Sequence, residues 1–296
     1  MRIKIITYLL LLLSLSVPIN AQTKRALVIG LGEQQDKAWN KINGDKDVPL
    51  VQGILKSAGF RSVTTLVNRQ ATKSGIVGAF KRMAASCKQG DVVYIHFSGH
   101  GQQMQDTDND EADGLDECWI PYDAYRKSCA MDRGEKHLKD DEVNLYLNAI
   151  RDKIGDAGKM LVVIDACHSG DATRGDADEV VRGVGDIFKA IQSFVQSPPL
   201  KRKGNKAANH RVRKNAERWI TLSACQSDQV NIEMKNPAVG KLTYAIYKKA
   251  KEIGSNDNAD FFRSIRMFVN SNTGSRPQYP VMTGETDRYS ITEIIR

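Results

Sequence analysis

Apolar runs of strand length alternate along the chain with stretches whose apolar positions recur three and four residues apart. Lys24 to Leu31 (KRALVIGL) reads as a first strand, apolar enough to lie inside a sheet, followed by a glycine-containing loop. Asn43-Gly44-Asp45-Lys46-Asp47 then offers a turn and an N-cap for a helix through Val51, Ile54, Leu55 and Ala58, closed by Gly59. Ser62 to Val67 is a second strand, and Thr72 can cap a helix presenting Ile76, Val77, Phe80, Met83 and Ala84. Asp91 to Ser98 (DVVYIHFS) predicts a third strand, ending in Gly99-His100-Gly101. After an acidic loop from Asp106 to Glu117, a short strand or hairpin is expected around Trp119 to Asp123. Asp140-Asp141-Glu142 opens a helix through Leu145, Leu147 and Ile150, its acids suiting the helix dipole. A strand over 159–165 stops just short of Cys167. Beyond a long irregular stretch from Asp171 to Arg218 come a strand, Trp219 to Ala224 (WITLSA), helices over Lys241 to Lys251 and Ala259 to Asn270, and an extended piece from Gln278 to Thr283. This alternation predicts an α/β fold, a mainly parallel central sheet with helices on both faces.

The amino-terminal segment stands outside the alternation. A basic start with Arg2 and Lys4, an apolar core around Leu9 to Leu13 and the small residue Ala21 make the pattern of a secretory signal peptide cut after Ala21. Its apolar core falls short of the roughly 20 residues that span a bilayer. The expectation is export, to a periplasm or outside the cell, with no stable membrane association after the cut. Residues 22–200 then form a large region, 201–218 a basic linker, and 219–296 a smaller region of the same domain.

Charge and cysteine usage refine this picture. The net charge of +8 is concentrated in Arg2, Lys4 and the run from Lys201 to Arg218, and the remaining chain is close to neutral. That distribution, with no aromatic among the basic residues before Trp219, argues against a nucleic-acid partner. Five cysteines, Cys87, Cys118, Cys129, Cys167 and Cys225, are an odd number for an exported chain. If Cys167 is the reactive one, three pairings of the other four are open, or Cys87 and Cys225 are buried free thiols.

Candidate chemistry gathers where two strands end. The strands at 91–98 and 159–165 each stop two residues before a reactive side chain, His100 and Cys167. Parallel strands would bring both to one rim of the sheet, the geometry of a Cys-His dyad. The imidazole would stabilise the thiolate and then protonate a leaving amine. Backbone N–H groups of Gly101 and Cys167 are candidates for an oxyanion hole. His96, inside its strand, reads as a core histidine, and His168 as too close in sequence to Cys167 to face it.

Ser98-Gly99-His100-Gly101, Asp113-Gly114-Leu115-Asp116-Glu117 with Pro121 and Asp123, Lys139-Asp140-Asp141-Glu142, Asp165-Ala166-Cys167-His168-Ser169-Gly170, Ser223-Ala224-Cys225-Gln226-Ser227-Asp228-Gln229 and Gly240-Lys241-Leu242-Thr243-Tyr244-Ala245 together resemble the metacaspases. The resemblance runs from residue 24 nearly to the end. It implies a caspase-like fold and a cysteine endopeptidase (peptidase C14 type) with His100 and Cys167 as its dyad. It also implies cleavage after Arg or Lys, with Asp45 and Asp165 receiving the basic side chain and Ser98 lining the same pocket. Two carboxylates can hold a guanidinium through charge-assisted bonds. Asp45 as a plain helix cap is the competing reading.

No cofactor is needed for that chemistry, though calcium as an activator is implied, with Asp140, Asp141 and Asp116 as candidate ligands or, alternatively, simply solvated acids. The basic linker is a candidate site of self-processing, at Lys201, Arg202, Lys203, Arg211, Arg213, Lys214 or Arg218. The expected partner is a peptide or protein with a basic residue before the scissile bond, and the enzyme is expected to be a monomer. Peptidases of clostripain or gingipain type are the neighbouring alternative, and a non-catalytic caspase-like binding module is the alternative from another class.

Overall fold

The computed structural model describes residues 22–106, 114–167, 179–190, 217–227, 229–252, 254, 257–272 and 276–296. The expected signal cut at Ala21 and the linker residues Lys201 to Lys214 lie outside them. In chain order the elements are β1 (Lys24–Gly30), α1 (Gly44–Ser57), β2 (Ser62–Val67), α2 (Lys73–Ser86), β3 (Val92–Ser98), β4 (Gly101–Gln105), β5 (Leu115–Trp119) and β6 (Leu138–Lys139). There follow α3 (Asp140–Ile154), β7 (Lys159–Asp165), β8 (Ile220–Ser223), α4 (Lys241–Glu252), α5 (Asn258–Ser271), β9 (Val281–Gly284) and α6 (Thr292–Ile295).

Six strands form the central sheet in the order β2-β1-β3-β7-β8-β9, parallel throughout except for β9, which runs antiparallel to β8. Its middle strands are apolar on both sides because both faces are covered, and all seven residues of β3 are buried. Leu27, Ile29, Val93, Ile95, Phe97 and Val162 pack under α2 and α3 against Ile76, Phe80, Leu147 and Ile150. Their alternates Ala26, Val28, Tyr94, Leu161, Val163 and Leu222 meet α1, α4 and α5 through Val51, Ile54, Leu242, Ile246, Phe261 and Ile265. Burying each such large side chain stabilises the fold by roughly 1.5–3 kcal/mol. Thr72 caps α2 as its sequence suggested, accepting from the Gly75 N–H at 3.1 Å. Strand β8 follows the basic run and pairs with β7, so the larger and smaller regions share one sheet.

Two stretches differ from the sequence reading. Gly101–Gln105, too polar to read as a strand, forms β4 of a three-stranded antiparallel sheet with β5 and β6. Asp116 and Glu117 therefore sit on a strand and not in a loop, because pairing with β4 orders them. The second is the stretch read as irregular from Asp171 to Arg218. Within it, residues 179–190 are held in place by isolated bridges from Gly183 to Gly101, Phe188 to Met104 and Val181 to Ile232.

Candidate active site

The register of β3 on β7 pairs Ser98 with Asp165. His100 and Cys167, each two residues further on, leave the sheet at the same rim, as parallel strands require. His100 is buried, with Trp39 tilted over its ring at 5.0 Å between centroids. Its Nε2 lies 2.8 Å from the Asn40 carbonyl oxygen. A carbonyl only accepts, so Nε2 carries the hydrogen and Nδ1 keeps its lone pair. Nδ1 is buried without a hydrogen-bond partner. Burial, more than the Asn40 bond can offset, holds the imidazole down at about 4, so it is neutral at pH 7 and able to take up a proton. The Cys167 thiol donates to the Gln229 carbonyl at 2.7 Å. Acting on His100 requires the thiol to turn away from Gln229.

Cys225, which the sequence offered as a free thiol or a disulfide partner and as part of the Ser223–Gln229 motif, stands beside Cys167. Its thiol donates to the same Gln229 oxygen at 3.6 Å. A hydrogen bond with Cys167, and burial, hold it well above the usual thiol range. No disulfide joins any of the five cysteines. The other buried ones, Cys87 and Cys118, are also pushed up by burial.

An acidic pocket lies at the same rim, and one of its walls differs from the expectation. The carboxylate beside Asp165 is Asp47. Asp45 instead turns outward, where its Oδ2 accepts from Asn68 Nδ2 at 3.4 Å. The reason is helical: at about 100° per residue, positions two apart project from nearly opposite faces. Asp47 shares the buried face of α1 with Val51 and Ile54, spaced four and seven residues on, a signal already present in the sequence. Gly44 lets this helix start close to the strand ends, since a Cβ there would lie 2.5 Å from Leu31 O and 2.6 Å from Ser98 O. Ser98 lies beside Asp47, donating to its Oδ2 at 2.8 Å. His96 proves to be a core residue, bonded to Tyr94, Ser98 and Thr243.

The start of α4 supplies donors to both acids. Gly240 N–H donates to Asp47 Oδ1 at 2.8 Å, and Thr243 N–H to Asp165 Oδ2 at 2.9 Å. Helix N-termini favour anions in this way. The Thr243 hydroxyl and Asn231 Nδ2 complete the shell of Asp165 at 2.6 and 2.8 Å.

A guanidinium fills the pocket. Arg182, fully buried, places Nη1 at 2.7 Å from Asp47 and 3.3 Å from Asp165, and Nε at 2.8 Å from Glu233. Glu233, a third acid that sequence reading did not single out, also accepts from the Asn43 N–H at 2.7 Å. Burial pushes the Asp47 carboxyl up to about 6, against the pull of Arg182. At Asp165 burial acts in the same sense, but Arg182, Thr243 and Asn231 outweigh it and hold the carboxyl below its usual range. The three acids in turn raise Arg182 above its ordinary value despite its burial.

Asp116, Asp140 and Asp141 come together as the sequence suggested, each offering an oxygen within 4.8 Å of the others. Hard carboxylate oxygens of this kind suit calcium. The buried Asp116 also meets Lys139 Nζ at 2.6 Å. Asp140, Glu117, Cys167 and Cys225 line one cavity of about 320 Å³. Of the candidate processing residues only Arg218 is described, and it precedes β8 at the sheet's opposite rim, paired with Asp152 at 2.6 Å.

Comparison with known proteins agrees with this architecture. Metacaspase-1 of Mycosarcoma maydis is 25% identical over 86% of this chain and 69% of its own length. Metacaspase-1B of Aspergillus fumigatus is 26% identical over 70% of this chain, which spans only 55% of that relative. The crystal structure of caspase-1 from Spodoptera frugiperda superposes with a TM-score of 0.60 over 91% of each chain, at 13% identity, a likeness of fold. Residues 23–289, from the start of the central sheet to the segment before its last helix, match the caspase domain of the C14 peptidases, and the chain belongs to that family.

Proposed function

We propose that this chain is an exported cysteine endopeptidase that hydrolyses peptide bonds after Arg or Lys. The observation that carries the reading is a buried guanidinium held by Asp47 and Asp165 on the rim where His100 and Cys167 emerge. In the reaction, Cys167 turns from Gln229 and passes its proton to Nδ1 of His100. The thiolate attacks the carbonyl carbon, and the Cys167 N–H, with that of Gly101 as its companion, receives the developing oxyanion. The imidazolium, a strong acid in its buried setting, then protonates the leaving amine. Water hydrolyses the thioester and restores the thiol.

Export rests on the amino-terminal pattern ending at Ala21; among the described residues no helix is long and apolar enough to cross a membrane. Asp116, Asp140 and Asp141 would hold calcium, whose charge would tie the start of α3 to β5 beside the nucleophile's cavity. Peptide reporters ending in Arg, Lys or Asp, with Cys167→Ala as control, test the reading. Hydrolysis of the Arg and Lys reporters by the wild type alone is expected. Activity confined to the Asp reporter, or surviving in Cys167→Ala, would overturn it.

A further inference from the structure

Residues 180–188 cross the rim between two neighbours, held by isolated bridges on either side of a bend at Arg182. Upstream of Arg182 the segment pairs antiparallel with residues 231–233: Arg182 N–H donates to Asn231 O and Glu233 N–H to Val180 O, each at 2.9 Å. Downstream it runs parallel to β4, where Phe188 N–H donates to Gln103 O at 2.8 Å. Backbone pairing with neighbouring segments is a general way to hold a bound peptide.

At the centre of the segment, three features coincide on one residue. The Arg182 side chain fills the acidic pocket, and its carbonyl oxygen accepts from the Cys167 N–H at 2.9 Å. That donor is the one placed to receive an oxyanion. The next residue, Gly183, lies so close that a Cβ there would come within 2.4 Å of Cys167 O and 3.2 Å of Cys167 Cβ. A side chain there would force Cys167 to shift, so glycine lets the Arg182–Gly183 peptide bond lie against the Cys167 backbone and Cβ.

We propose that residues 180–188 are a built-in substrate, that Arg182–Gly183 is the first bond the enzyme cleaves, and that Arg182 blocks the pocket until it does. The inference rests on the peptidase reading given above. It moves the self-processing site upstream of the basic run at 201–218. In the step, the Cys167 sulfur bonds to the Arg182 carbonyl carbon and the bond from that carbon to the Gly183 nitrogen breaks. The thiol proton travels through His100 to the new Gly183 amine. Water then adds to the thioester, leaving an Arg182 carboxylate and a free thiol. The chain end at Arg182 can then leave the pocket to an incoming Arg or Lys.

Amino-terminal sequencing and intact mass of the purified full chain, followed over time alongside hydrolysis of an Arg reporter, test this. The expected result is a fragment beginning at Gly183 in the wild type, appearing in step with rising reporter hydrolysis, and an intact chain in Cys167→Ala. Arg182→Lys should yield the same fragment. Arg182→Gln should leave the bond intact and hydrolyse the reporter without a lag. Should Arg182→Gln fail to fold for want of a counter-charge, the lysine variant and the time course decide. Full reporter hydrolysis while the Arg182–Gly183 bond stays intact would overturn this inference and leave the peptidase reading standing. So would cleavage confined to 201–218, or a Gly183 fragment from Cys167→Ala. No reporter hydrolysis by any folded form would overturn the peptidase reading itself.

Discussion

Asp47, on the first helix, and Asp165, the last residue of β7, both reach the same nitrogen, Nη1 of Arg182, at 2.7 and 3.3 Å. Two acids from separate elements thus define one receptor for a planar cation. Donors from the start of α4 hold both.

Removing one of these charges should damage specificity more than the chemical step. Asp165→Asn is expected to lower kcat/KM for an Arg reporter by about 100-fold or more, the scale of a lost charge-assisted contact in a buried site. Steady-state kinetics on the folded variant measure this. An unchanged kcat/KM would remove Asp165 from the pocket.

Asp45 and Asp47 provide an internal comparison, since they share a helix and a chemistry and differ only in direction. Asp47→Asn should lower kcat/KM for Arg reporters by at least about 10-fold, on the scale of a hydrogen bond to a charged group. Asp45→Asn, which alters only a half-exposed contact with Asn68, should stay within about threefold, as surface substitutions usually do. The reverse order would restore the assignment suggested by the sequence.

The pH dependence follows from the base. His100 must be neutral to accept the thiol proton, and its value is lowered from the ordinary 6.5 to about 4. Neutral imidazole therefore persists as pH falls, until it is protonated near 4. With saturating Arg reporter, the limb of kcat that belongs to His100 should hold through pH 5 and decline toward pH 4. The profile of kcat/KM reports the free enzyme and should fall earlier, at or above pH 6, because burial raises the Asp47 carboxyl to about 6 even with the Arg182 guanidinium beside it. An acid limb of kcat centred at 6.5 would contradict the buried, neutral His100.

Calcium should raise the melting temperature of Cys167→Ala, a readout independent of turnover. Ligation by the folded state alone stabilises it by mass action, about 2.7 kcal/mol at a hundredfold excess over Kd. Asp140→Asn with Asp141→Asn should abolish the shift. An equal shift in that double variant would place the ion elsewhere.

The parallel sheet and the shared rim at which His100 and Cys167 emerge were legible because they rest on local pattern. Apolar runs covered on both faces announce β3 and β7, and their ends fix where His100 and Cys167 emerge. The acidic trio was legible from composition and the start of α3. Less visible was whatever depends on contacts far along the chain. Strand β4 is mostly glutamine and owes its form to β5. Glu233 joins the pocket only because residues 231–233 pair with 180–182. Arg182 lies in a stretch with no periodicity, and only its partners reveal it as more than a loop residue. Asp47 is a different case, because its spacing to Val51 and Ile54 marked it for the buried face, and the two-residue difference from Asp45 reversed the direction.

The central claim is that Cys167 is the nucleophile of a pocket that takes a basic side chain. Its most direct test is intact-mass and peptide analysis after reaction with a peptidyl chloromethyl ketone ending in Arg, once reporter hydrolysis has reached its plateau. The account predicts one adduct, on Cys167, lost in Cys167→Ala and at least about 100-fold slower with the matching Asp reagent, as charge selection by a buried pocket implies. An adduct on Cys225 or another cysteine, or equal rates for the Arg and Asp reagents, would contradict it.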